Sequence, residues 1–373
     1  MASSNNKAII SEAKPHTILK FKLVEEYVKA WAQKLMNNDF CHKLVYIDCM
    51  SNSGVYHDVN GNQVRGSALR VAEVLRNVAE QYRTKMPHKR IKIYLNDLDP
   101  RKIEELKKHI PQNTGNFTTE VFNLDASELL NILQYPMLSA KNSHYLLFYD
   151  PYDASIDWRA LTPFFQKWGE VIINHMISDP IRACGQASSD RAISKYTSTY
   201  QCSIDELKRS KNSKEFYEER VEKILKWMIR RNNKKYYAAS FPFFNSRNAF
   251  LYDLIHFTGH IEGFKLFKTT AWKVFGNKSS TKNTEYSGQL QLAFDVKHED
   301  TEPEPDVNCY FVQDIAQYIH KRYKGVKTVA LDTVWAMLDE HTIFPCDGFK
   351  RDIIRSLKSI YGAKVTRTTI TFS

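Results

Sequence analysis

The sequence predicts an α/β fold with a mostly parallel sheet, followed by a small, separate, basic unit. Three observations carry this. Buried-strand patterns and amphipathic helix patterns alternate between residues 43 and 176, the order that produces right-handed βαβ units. Four of those strand patterns run straight into an aspartate: Asp48, Asp97, Asp125 and Asp150. The acidic, proline-bearing stretch HEDTEPEPDVN at 298–308 then breaks the pattern before a basic C-terminal stretch, as a linker does. We place the α/β domain at 1–300, the linker at 301–308 and the second domain at 309–373.

Each element follows from its spacing. HTILKFKLVEEYVKAWAQKLM (16–36) puts Leu19, Leu23, Tyr27, Val28, Trp31 and Leu35 on one helical face. KLVYID (43–48) reads as a buried strand and ALRVAEVLRNVAEQYR (68–83) as a helix. IKIYLND (91–97) is a strand, and PRKIEELKKHI (100–110) a helix opened by proline at its first position. TTEVFNLD (118–125), ASELLNILQ (126–134), HYLLFYD (144–150) and EVIINHM (170–176) continue as strand, helix, strand, strand. YYAASFPFF (236–244), FLYDLIHFTG (250–259) and QLQLAFDV (289–296) finish the sheet, with an antiparallel edge expected. Beyond the linker come helices at 309–323, 331–341 and 348–362, then the alternating KVTRTTITF at 364–372. That order predicts a winged helix-turn-helix unit. Lys350, Arg351, Arg355 and Lys358 of its third helix would face a major groove. Such units also serve as protein–protein modules.

Totals bound the function. The 373 residues exceed one ordinary domain, and 43% are hydrophobic, enough for a sizeable core. No apolar run reaches membrane-helix length, and MASSNNKAIISEAKPH lacks a charged-then-apolar leader pattern. A cytoplasmic protein is expected. The six cysteines form no CxxC pair and no zinc-ligand spacing. They read as buried thiols, and no metal is expected. The net charge of +11 is gathered in HKRIK near 88, IRRNNKK at 229–235, KRYKGVK at 321–327 and FKR at 349–351. Clustered cations release condensed counterions when they meet phosphates, so nucleic acid is the expected partner. Arg230 and Arg231 join the candidate contacts, with Trp227, Tyr236 and Tyr237 nearby to stack bases. For Trp227, core packing is an equal alternative.

The chemistry is expected where parallel strands end, because ligands bind outside their carboxyl ends near a reversal of strand order. One aspartate there caps a helix. Four on one edge concentrate negative charge that folding does not require. No GxxxxGK[ST] loop is present to hold a nucleotide phosphate. A cationic, adenosine-bearing ligand such as S-adenosylmethionine fits better. Asp48 with Ser51, Ser53 and Gly54 would take the methionine end. Asp97 would take the ribose hydroxyls, and Asp125 and Ala126 would flank the adenine. Pro151 stiffens the backbone after Asp150. Asp150, Pro151 and Tyr152 would then receive a flat, amino-bearing base swung out of its helix. His16 and Lys20, one helical turn apart, face either the cofactor mouth or solvent. His175 reads as a satisfied edge histidine.

At these residues the chain resembles the three-Cys-motif partner (TcmP) proteins, which are related to class I methyltransferases. The resemblance runs through KPHTILKFKLVEEYVKAW, YIDCMSNSG, GSALRVA at Gly66 and Ser67, DPYDASIDW with Trp158, and YDLIHFTGHIEGFKLFKTTAW. NDLDP is similar to the acidic motif of adenine-N6 DNA methyltransferases, which implies that Asp97 holds the ribose. The family implies a Rossmann-like class I methyltransferase fold with a C-terminal winged helix-turn-helix unit. It also implies S-adenosylmethionine as cofactor and a three-Cys-motif, radical-SAM-type protein as partner. Two positions depart from the family pattern: Asn52 replaces a loop glycine, and Asp153 replaces the glycine after Asp-Pro-Tyr. The expected function is methyl transfer to an amino group of a nucleic-acid base. The alternative is a non-catalytic scaffold of the same fold that binds nucleic acid or the partner protein.

Overall fold

The computed structural model describes residues 9–151, 155–176, 193–194, 197–199, 203, 236–284, 306, 308–326 and 328–372. The predicted strand at 289–296, the linker residues 301–305, Tyr152, Asp153, Trp227, Arg230 and Arg231 lie outside them.

Helix α1 (Pro15–Met36) opens on a proline, whose fixed φ and missing N–H suit a first helical position. Its buried stripe is rotated from the sequence expectation. Lys20, Phe21, Leu23, Val24, Tyr27, Val28, Trp31, Ala32 and Met36 are buried, while Leu19 and Leu35 are half-exposed. The reason is that Phe21 and Val24 extend the stripe of Tyr27, Val28 and Trp31 at helical spacing. Lys20 is carried inward with them.

The strands are β1 (Ser11–Glu12), β2 (Lys43–Asp48), β3 (Val55–His57), β4 (Gln63–Arg65), β5 (Arg90–Asn96), β6 (Phe117–Phe122), β7 (Ser143–Tyr149), β8 (Gly169–His175), β9 (Tyr237–Phe244) and β10 (Phe250–Thr258). Helices α2 (Ser67–Tyr82), α3 (Pro100–Lys107), α4 (Ala126–Ser139) and α5 (Trp158–Leu161) separate them. The central sheet has seven strands in the order β6-β5-β2-β7-β8-β10-β9. β2, β5, β6, β7 and β8 run parallel, and β10 pairs antiparallel with β8. The sheet grows outward from β2 in both directions, so the reversal of strand order lies between β2 and β7. Parallel strands covered on both faces read as apolar runs, and every residue of β7 is buried. Val45, Ile47, Leu147, Val171 and Ile173 pack with Leu129, Leu133, Trp158 and Phe164 in one core. A small three-stranded sheet, β1-β3-β4, follows the loop after β2.

The described chain divides into two compact units. The first holds residues up to 238 and 252–264; the second holds 239–251 and 265–373. In the second, α6 (Ile261–Val274) contributes its C-terminal part, followed by α7 (Val312–Tyr323), β11 (Val329–Ala330), α8 (Leu331–Glu340), α9 (Lys350–Tyr361), β12 (Lys364–Val365) and β13 (Thr369–Thr371). The three short strands pair antiparallel in the order β11-β13-β12. Trp272 is its buried centre, donating to Ile343 O at 3.0 Å and packing edge-on to Phe344 and Phe349. Lys268 Nζ donates to four backbone carbonyls, Leu338 (2.9 Å), Asp339 (3.0 Å), His341 (2.6 Å) and Phe344 (3.1 Å). Asp339, Cys346 and Asp347 gather there too, with Lys265 paired to the two carboxylates at 3.0 and 3.4 Å. Among the described residues no helix is long and apolar enough to cross a membrane.

Candidate functional site at the carboxyl edge of the sheet

The loop after β2 is closed upon itself. Asn52 adopts φ 56° and Gly54 φ 74°, a left-handed region that asparagine tolerates and glycine enters freely. A Cβ on Gly54 would also overlap Leu106 and Leu69. Ser51 N donates to Asn96 O (2.6 Å) and Asn52 N to Asp97 Oδ2 (2.9 Å). Ser53 N donates to Asn52 Oδ1 (2.7 Å), and Ser53 Oγ to Val55 O (2.8 Å). Ser51, Asn52 and Ser53 are all buried. Asn52 therefore supplies an acceptor that a glycine would lack.

Asn96 stitches three strand ends together, a role that its place at the end of a strand pattern did not reveal. Its Nδ2 donates to Cys49 O (3.0 Å) and Leu124 O (2.9 Å), and its Oδ1 accepts from Leu124 N (3.0 Å). Asp97 is buried beside it, with Oδ2 on Asn52 N and Oδ1 accepting from Asp99 N (3.0 Å). Leu98 follows, 69% exposed at the rim. Asp125 is an exposed N-cap of α4: its Oδ1 accepts from Ser127 N (2.8 Å), and Glu128 reaches back to its N–H. Ala126 is the first residue of α4 and half-buried.

Asp97 and Asp150 both lie close enough to Asp48 to act on it. Complete burial, then the charge of Asp150, pushes the Asp48 carboxyl from 3.8 up to about 8, with Asp97 adding to the rise. Its Oδ1 accepts from Met50 N at 3.2 Å, while its Oδ2 is buried and makes no hydrogen bond of normal geometry among the described residues. Tyr46, two residues back on the same face of β2, feels the Asp48 charge. Its buried hydroxyl likewise makes no hydrogen bond of normal geometry among the described residues.

Asp150 follows β7 and is held from two sides. Lys20 Nζ donates to its Oδ2 at 2.6 Å, and Asn174 Nδ2, on β8, to its Oδ1 at 2.5 Å. The Lys20 and Asp150 side chains are 8% and 19% exposed. Asn174 Oδ1 is buried and has no hydrogen-bond partner among the described residues. The Lys20 ammonium also lies 5.3 Å from the ring centre of Tyr252, whose hydroxyl donates to His16 O (3.3 Å). Burial, then Lys14 and Lys20, lower His16 to about 4. Burial alone lowers His175 to about 4. Both imidazoles are neutral at neutral pH. Pro151 is buried.

Of the predicted site residues, hydrogen bonds tie Asp48, Ser51, Ser53 and Asp97 to one loop, which Gly54 closes, and Asp150 comes close enough for its charge to act on Asp48. Asp125 and Ala126 sit at the next strand end. Asn174 was missed, and the inward turn of Lys20 is one of the two placements that the sequence left open. Lys20 carried a signal: a lysine on the same stripe as Val24, Tyr27 and Trp31.

The basic residues divide. Lys89, in the HKRIK run, is 1% exposed and donates to Met36 O (2.8 Å) and Asn38 O (2.7 Å). Lys92 pairs with Glu120 at 2.7 Å. These two lysines of that run bind within the protein. Lys350, Arg351, Arg355 and Lys358 are exposed on α9. Lys350 and Arg355 have acidic neighbours, Asp347 at 3.7 Å and Asp352 at 3.0 Å.

No family model and no curated protein matches the sequence. Solved structures with slight likeness include a duf574 family protein from Streptomyces avermitilis (11% identity, 63% of this chain and 82% of that one, TM-score 0.31). Others are a loganic acid methyltransferase with SAH (10%, 70% and 84%, 0.29) and human methyltransferase-like protein 13 with SAH (8%, 74% and 98%, 0.28).

Proposed function

We propose that the protein binds S-adenosylmethionine at the carboxyl edge of its sheet and is a methyltransferase acting on an amino group of a nucleic-acid base. The observation that carries this is the gathering of Asp48, Asp97 and Asp150 at the reversal of strand order, with Asp48 Oδ2 buried and making no hydrogen bond of normal geometry among the described residues. Such an edge attracts a cation that also carries hydroxyl and amino donors. The order β6-β5-β2-β7-β8-β10-β9, with β10 antiparallel, supports the class I methyltransferase reading of the sheet. The residues suit the group: Asp48 and the Ser51–Gly54 loop for the methionine end, Asp97 for the ribose, and Leu98, Asp125 and Ala126 for the adenine. When bound, the cofactor supplies an electrophilic methyl group. Asp150 and Pro151 hold the rim at which an amine would be positioned. The exposed cations of α9 support nucleic acid as the substrate. The order helix, strand, two helices, two strands in residues 312–371 supports a winged helix-turn-helix presenting them.

A second reading is favoured by a specific observation. Ser51, Asn52 and Ser53 are buried, and Asp97 has a backbone N–H on each oxygen. A scaffold that kept the fold, and binds nucleic acid or a three-Cys-motif partner, would look like this. Calorimetric titration with S-adenosylmethionine separates the two. Micromolar binding is expected; no heat and no thermal shift would leave the scaffold. Methyl transfer from labelled cofactor to mixed DNA and RNA, lost in Asp150→Ala, then tests catalysis. Unchanged transfer in that variant would remove Asp150 from the rim's chemistry.

A further inference from the structure

The carboxyl edge is acidic, yet the proposed ligand is not purely cationic. S-adenosylmethionine carries a sulfonium, an α-ammonium and an α-carboxylate. Asp48, Asp97 and Asp150 favour the two cations and repel the carboxylate. A carboxylate brought into a desolvated acidic site is costly unless a cation meets it. One does. Lys20 lies at this edge, its side chain only 8% exposed, with one hydrogen-bond acceptor among the described residues, Asp150 Oδ2 at 2.6 Å. An ammonium has three donors, so two N–H groups remain beside the Tyr252 ring at 5.3 Å. Its partner Asp150 lies near Asp48, whose Oδ1 accepts from Met50 N where the loop that would take the methionine end begins. Phe21, the neighbour of Lys20, packs 4.9 Å from Tyr56 on β3, the strand into which that loop runs. Asn174 holds the ammonium's partner, Asp150, through its other carboxylate oxygen.

We infer that Lys20 is the carboxylate-binding residue of the cofactor site, with Asp150 as the positioning group that holds its ammonium there. This rests on the reading of the edge as an S-adenosylmethionine site and deepens it. Two of the three N–H groups would donate to the α-carboxylate, while the third keeps Asp150. The Asp150 carboxylate thereby acquires a role separate from any contact with a substrate amine.

The test compares S-adenosylmethionine with decarboxylated S-adenosylmethionine by calorimetry on the full chain. The wild type is expected to prefer the carboxylate-bearing ligand by about tenfold, the scale of one charge-assisted contact. Lys20→Met should bring the two ligands within about twofold of each other. Because that variant leaves Asp150 without its cation, Lys20→Met/Asp150→Asn is measured beside it and should show the same loss of preference. Lys20→Arg should keep the preference. Asp48→Asn should weaken both ligands alike. A preference retained in either folded methionine variant, or absent from the wild type, overturns the inference and leaves the cofactor reading standing. Failure of the wild type to bind either ligand overturns the cofactor reading itself, and this inference with it.

Discussion

Two buried ammonium groups in this protein have opposite surroundings. Lys268, in the second unit, is wrapped by four carbonyl oxygens within 3.1 Å. Lys20, in the first, has one carboxylate oxygen and the face of a ring. The same contrast extends to their neighbours. The nest of four carbonyls around Lys268 gives each of its three N–H groups an acceptor. Among the described residues, the strand edge around Lys20 holds three buried polar atoms that make no hydrogen bond of normal geometry: Tyr46 Oη, Asp48 Oδ2 and Asn174 Oδ1. Buried polar groups are normally hydrogen-bonded. A nest that is complete stabilises a fold; an edge that is incomplete is disposed to bind something. This difference sets the ranking of what substitutions should do.

The largest effect is expected at the incomplete edge, and it is a gain. The Asp48 carboxyl titrates at about 8 when folded against an ordinary 3.8. Below pH 3.8 both states carry the proton. Between 3.8 and about 8 the unfolded chain loses it while the folded chain keeps it, so stability falls as pH rises. Asp48→Asn removes that loss, with a gain of up to about 5 kcal/mol at pH 8. Urea unfolding from pH 4 to 8 checks it; a wild type as steep as the variant is flat supports the contrast. The same titration predicts that a cationic ligand will release close to one proton on binding at pH 7, read from the buffer dependence of its calorimetric enthalpy.

Lys268→Met should lose about 4 kcal/mol, because several buried carbonyls lose their donor together. Lys20→Met should lose about 2 kcal/mol, since Asp150 retains Asn174 and some solvent. If denaturant curves reverse that order, the proposed difference between nest and edge is broken. The smallest effect belongs to Asp125→Ala: about 1 kcal/mol for the lost cap of α4. The α4 helix signal in circular dichroism should persist, because its buried leucines remain.

Much of the fold was legible because parallel strands buried on both faces must be apolar throughout. KLVYID shares its bounds with β2, and IKIYLND and HYLLFYD shift by a residue or so against β5 and β7. The helix ASELLNILQ continues five residues further, through Pro136 to Ser139. Sequence spacing does not reveal that, because proline is read as a stop. The gathering of Asp48, Asp97 and Asp150 was legible too, since residues that end adjacent parallel strands arrive at one edge. Their individual duties were not. Asp97 holds backbone N–H groups of two different loops. Asp125, an adenine acceptor by expectation, is engaged as a cap. Lys89 and Lys92, counted as part of a basic run, turn to partners within the first unit. Charge counted along a chain does not say which cations are already taken.

By itself, the sequence determined the alternation of strands and helices, the turn at Asn52 and Gly54, and the arrival of acidic residues at one edge. Those properties are local, set by period, backbone freedom and the two-residue repeat of a strand. Only the tertiary structure decided that Lys20 meets Asp150 across 130 positions of chain, and that Asn174 closes the arrangement from β8. A side chain's partner is whatever shares its volume after folding. Hydrogen bonds a few ångströms long depend on that shared volume, to which separation along the chain is no guide.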